Sequence, residues 1–169
     1  MIFKRRRDKA KSGPSGGRER LEALVREHLP DAPEQDARLV VAVTGLLASV
    51  AYADREYSED EREHVRESLE RVHGLSPEGV QAICIALDTD ILELAAINTQ
   101  AFTRDLRELT DLEVRREVLD VLVDLAAADG EVSMSETELL RRTTTAMGLT
   151  QDDYNNAQAK HKARLSVLK

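Results

Sequence analysis

Six carboxylates stand in two short stretches whose spacing could hold a metal ion. Asp54, Glu56 and Glu61 form one set, and Asp129, Glu131 and Glu136 form the other. Acidic side chains this close repel one another, and sharing a hard, oxygen-seeking cation such as Ca²⁺, Mg²⁺ or Mn²⁺ relieves that repulsion. The spacing is not that of an EF-hand, which needs a twelve-residue loop with Gly sixth and Glu last. Here the closing Glu comes eighth. A second account needs no metal. Ser58 with Glu61, and Ser133 with Glu136, read as capping boxes. Asp54 and Asp129 can accept amide hydrogen bonds within a turn, and acidic groups in a first helical turn suit the helix dipole. Both accounts stay open. The second stretch has Gly130, free to take positive φ and expose its carbonyl, where the first has Arg55, a cation able to neutralise Asp54 and Glu56. If one turn binds an ion, the second is the better candidate.

The two stretches belong to a longer repeat. Ala51–Glu63 aligns with Ala126–Glu138, 75 residues on, and seven of the thirteen positions are identical. An apolar helical run precedes each copy and an amphipathic run follows it. The simplest source is a duplicated unit of helix, acidic turn and helix.

The surrounding pattern is helical throughout. Arg18–Leu29 spaces Leu21, Leu24 and Val25 for a helix that Pro30 stops. From Glu34 a second helix is apolar all round (Leu39, Val40, Val41, Val43, Leu46, Leu47, Val50), so it must lie inside others. Ser58 and Ser133 open matching helices, and Ser76-Pro77 and Thr150 open two more. Residues 90–109 read as helix with a break near Asn98-Thr99-Gln100, and 111–128 as another. The last helix turns Tyr154, Ala157, His161, Leu165 and Leu168 to one side. No alternating β-branched run appears. The expected fold is all-α: seven to eight helices in a single bundle-like domain with pseudo-two-fold internal duplication.

Composition narrows the function. The chain has 169 residues, enough for one core, with 3% aromatics and no Trp, which leaves no stacking platform for single-stranded nucleic acid. Its one cysteine, Cys84, excludes an internal disulfide and any Cys-based zinc pattern, and makes a cytoplasmic address the default. Cys84 falls among Val80, Ile83 and Leu87 and reads as packing. The net charge is −8, yet residues 1–20 carry +6, so the rest carries −14. An acidic body repels nucleic acid. Residues 1–17 read as a disordered basic arm and Ser/Gly/Pro linker, and 18–169 as the helical domain. Through residues 1–11 the arm could meet an anionic membrane at the inner face, Ile2 and Phe3 inserting beside Lys4–Arg7, or it could serve only as a solubilising tail. No stretch is long enough to span a membrane. His28, His64, His73 and His161 form no ligand spacing, and no nucleophile elbow, Walker loop or dinucleotide fingerprint occurs. The chain reads as not an enzyme.

At Leu125–Val132 with Glu136, then Met147-Gly148-Leu149-Thr150, and again at Tyr52–Tyr57 with Glu61, then His73-Gly74-Leu75-Ser76, the chain resembles the TerB-like superfamily. That group holds tellurite-resistance protein B and the amino-terminal domain of the DjlA co-chaperones, and the resemblance covers residues 20–160. It implies an all-helical domain, a role in stress or metal-ion response, cation binding at the acidic turns and association with the inner face of a membrane. Asp129 and Glu136 match the family pattern fully, and Asp54 and Glu61 match apart from Arg55 in the Gly place. No His-Pro-Asp occurs, so co-chaperone activity does not carry over. A protein partner is expected, with no nucleic acid and no oligomeric state assigned. The alternative is a metal-independent interaction domain that docks a basic or helical partner.

Overall fold

The computed structural model describes residues 16–96 and 99–167. The basic arm, and with it the expected membrane contact, lies outside them. Among the described residues every regular element is a helix: α1 Gly17–His28, α2 Glu34–Ala51, α3 Glu59–Glu70, α4 Pro77–Ala96, α5 Thr99–Leu109, α6 Leu112–Ala126, α7 Met134–Ala146 and α8 Gln151–Val167. The all-α expectation holds.

Helix starts follow the side-chain chemistry. Ser58 and Ser133 close full capping boxes, and Asp111 accepts from the Val114 amide at 3.0 Å. The Ser76 hydroxyl accepts from Gly79 N at 3.1 Å, and Thr150 pairs reciprocally with Asp153. Each such cap satisfies amides that no helical carbonyl can reach. One boundary differs from the expectation. The apolar stripe Val80, Ile83, Leu87, Ile91, Leu94 belongs to the single helix α4, and α5 begins only at Thr99. The last helix differs as well. Tyr154 and Ala157 are buried, but Leu165 is half exposed, because α8's final turns run past their neighbours. Leu168 lies outside the described residues.

Helix α2 is the axis, packed by α5, α4, α1 and α6. Gly45 permits the closest of these contacts, since a Cβ there would lie 2.3 Å from Phe102 Cζ. The fully buried Phe102 ring therefore rests on α2's backbone. The Arg18 guanidinium covers the same ring, 5.3 Å from its centroid. Beside it Asp105, 5% exposed, accepts from Arg18 Nη2 at 2.9 Å and from Arg38 Nη2 at 2.8 Å, joining α5 to α1 and α2. A carboxylate this buried is tolerable only because both its oxygens are paired. In the second half α6 and α8 run side by side in the same direction, linked by Arg116–Asp153, Lys160–Asp120 and Arg164–Asp124. The three-helix units α2–α4 and α6–α8 share their corners and caps, whereas α1 and α5 pack differently. Helix α1 lies on α4 and α2, and α5 lies on α2 and α7.

Candidate functional site: two acidic corners

Each acidic stretch is the corner between two helices, and the two corners share the same backbone path and the same turn and capping bonds to backbone amides. Helix α2 ends at Ala51, Tyr52 relaxes to φ −105°, and Ala53 N donates to Val50 O at 3.1 Å. Helix α6 ends at Ala126, Ala127 has φ −97°, and Ala128 N donates to Leu125 O at 3.0 Å. The chain then reverses through a left-handed residue: Arg55 at φ 68° in one corner, Gly130 at φ 98° in the other. Asp54 Oδ1 accepts from Glu56 N at 2.9 Å, and Asp129 Oδ1 accepts from Glu131 N at 3.2 Å. Ser58 N donates to Glu61 Oε2 at 2.7 Å, as Ser133 N does to Glu136 Oε2 at 2.7 Å.

The four glutamates separate into two kinds. Glu56 and Glu131 are exposed, and they join the turns through backbone amides. Glu61 and Glu136 are core residues at 4% and 3% exposure. Each uses Oε2 for its cap, and neither Oε1 makes a hydrogen bond among the described residues. Burial, helped by the charges of Glu136 and Asp54, pushes the Glu61 carboxyl up to about 6 against the pull of Ser58's hydrogen bonds. Glu136 is raised for the same reasons, with Asp54 and Asp129 as the repelling charges. The corners, read from sequence as separate candidates, therefore face each other. Helix α2 packs on α7 and α3 on α6, which sets Asp54, Glu61, Asp129 and Glu136 along one seam.

The seam is a field of negative charge rather than a finished cage. Among the described residues no three His, Cys, Asp or Glu side chains are close enough to hold a metal ion. The oxygens along the seam are of the hard kind that Ca²⁺, Mg²⁺ and Mn²⁺ favour over softer metals.

Beside the first corner a cleft of about 540 Å³ is lined by Tyr52, Arg55, Leu92, Leu139 and Arg142. Leu92 is 63% exposed, and Met134, at the start of α7, is 86% exposed. Sequence reading missed this cleft because its walls come from α2, α4 and α7. The only local signal was an apolar residue, Leu92, on the solvent side of an otherwise buried stripe. His64, which replaces Leu139 in the first copy, is half-buried and is held below its ordinary pKa chiefly by burial. His161 Nδ1 pairs with Asp124 Oδ1 at 2.7 Å. Cys84 is half-buried and its thiol is pushed up by burial, the setting of an inert cysteine.

An all-helical domain built around two capped acidic corners is the class these features define. The family described as tellurite resistance protein TerB matches residues 40–159, both corners included, and the chain belongs to that family. No curated protein and no solved structure matches it. No helix among the described residues is long and apolar enough to cross a membrane.

Proposed function

We propose that this chain is a non-enzymatic, cation-responsive member of the TerB family, serving a stress or metal-ion response of the tellurite type. Asp54, Glu61, Asp129 and Glu136 are the groups that respond. The observation that supports the reading is the pair of capping glutamates buried at the two corners, each raised chiefly by burial and then by a charge of the other corner. A divalent cation drawn to the seam would remove that repulsion and take the free Oε1 atoms as ligands. Glu56 and Glu131 would hold outer water or stay at the rim. Such binding couples ion concentration to the packing of α3 and α7 on α6 and α2. A shared origin of the corners by internal duplication, and a cytoplasmic setting, form part of the same proposal.

The test is a thermal melt with and without millimolar Ca²⁺, Mg²⁺ or Mn²⁺, on the parent chain and on Asp129→Asn/Glu136→Gln. At a hundredfold excess over Kd the parent should gain about 2.7 kcal/mol, roughly 5–10 °C in Tm, and the variant should gain far less. Equal melting of both proteins in every metal overturns the cation reading. The second reading, a metal-independent domain docking a basic or helical partner, draws its support from the cleft at Tyr52, Leu92 and Leu139 beside the negative corner.

A further inference from the structure

At the opposite end of α2 from the corners lies a second cleft of about 540 Å³. Its floor is apolar: Leu29, Pro33, Leu39, Val40 and Val72, from the end of α1, the start of α2 and the end of α3. Leu39, Val40 and Val72 are only partly buried, although they pack on the core. The rim carries Asp31 and Asp36, both exposed and neither in an ion pair among the described residues. An apolar trough with unpaired acids at its lip fits a ligand with an apolar tip followed by cations.

The chain contains that ligand. Residues 2–7 read Ile-Phe-Lys-Arg-Arg-Arg, an apolar pair and then four positive charges, in a segment outside the described residues. We propose that this segment docks into the α1–α2–α3 cleft of its own chain, with Ile2 and Phe3 on the apolar floor and Lys4–Arg7 facing Asp31 and Asp36. The reach suffices. The described chain begins at Gly16, at the start of α1, and the cleft lies at that helix's far end, twelve residues or about 18 Å away. The thirteen steps from Phe3 to Gly16 extend to about 40 Å. The −14 balance of residues 21–169 adds a general pull on the arm, which salt screens. The contact would cover the apolar floor and withhold Ile2 and Phe3 from any other surface.

Disulfide trapping in the full chain tests this. With Cys84→Ser as background, Phe3→Cys is combined with Val40→Cys in the cleft or with Leu92→Cys as control. Leu92 is well exposed, and its neighbours Glu93 and Leu94 touch Gly17, so undirected collision favours the control. Docking predicts the reverse, with the Val40 pair forming about tenfold faster through its raised effective concentration. The rate should not depend on protein concentration, and it should fall with added salt or with Asp31→Asn/Asp36→Asn. If Val40→Cys fails to melt like the parent, Val72→Cys takes its place. A faster Leu92 pair, a concentration-dependent rate that marks docking onto a second copy, or a salt-insensitive rate would each overturn the proposal. So would trapping at the collision rate in an arm that nonetheless binds anionic vesicles.

Discussion

Replacing Glu61 by Gln should stabilise this protein at neutral pH, although Glu61 is one half of a capping box. Burial and the charges of Glu136 and Asp54 hold its carboxyl at about 6 against an ordinary 4.5. The folded chain thus binds this proton more tightly than the unfolded chain. At about 1.36 kcal/mol per pH unit, the ionised group costs the fold about 2 kcal/mol once the pH is above 6. Below about pH 4.5 the group is protonated in both states and the penalty vanishes; between these limits stability rises as pH falls. Glutamine keeps an oxygen for the Ser58 amide and hydroxyl, which Glu61 engages at 2.7 and 2.8 Å, and carries no charge. A neutral acceptor at a helix start is weaker than a carboxylate, so about half the penalty returns, on the order of 1 kcal/mol. For a domain of this size that is a rise in Tm of roughly 2–4 °C at pH 7.5. Melts of both proteins from pH 4.5 to 8, without divalent cation, read it directly, and the advantage should disappear at the acid end. A variant that melts below its parent by the same amount at every pH would refute the reasoning. The hydrogen bond would then outweigh the charge.

Two further substitutions test how the corners and the axis are held. Gly45→Ala sets a Cβ against the Phe102 ring and should cost about 1–3 kcal/mol in a urea melt, with part recovered by adding Phe102→Leu. An unchanged melt would show that α5 is not seated as described. Gly130→Ala puts a side chain at φ 98° with open space around it, so its expected loss of about 1–2 kcal/mol is purely backbone strain. No loss in a chemical melt would mean that the second corner relaxes out of the left-handed region.

The parts of this fold that are local were legible in the sequence. Ser58 with Glu61 and Ser133 with Glu136 act within one helical turn, so their spacing alone announced the two helix starts. The duplicated frame likewise located both reversals. What escaped depends on partners far along the chain. Asp105 looked like any surface acid, because its guanidiniums lie 87 and 67 residues away. The mutual approach of the acidic corners was hidden for the same reason, being set by the packing of α2 on α7 and α3 on α6. The break expected near Asn98-Thr99-Gln100 stands where α5 starts at Thr99, but the polar run Asp88-Thr89-Asp90 hid the continuity of α4, because those residues lie off the stripe that runs from Val80 to Leu94. Leu165 was misplaced because periodicity reports which face of a helix is apolar, not where its neighbour stops.

The grip of Asp105 on Arg18 has a mechanical consequence. Arg18 stands two residues after Gly16, so the first turn of α1 is riveted to α5 and, through Arg38, to α2. A force applied to residues 1–15 by whatever holds them would not peel α1 away turn by turn. It would arrive whole at the centre of the bundle, at Asp105, three residues from the Phe102 that rests on Gly45.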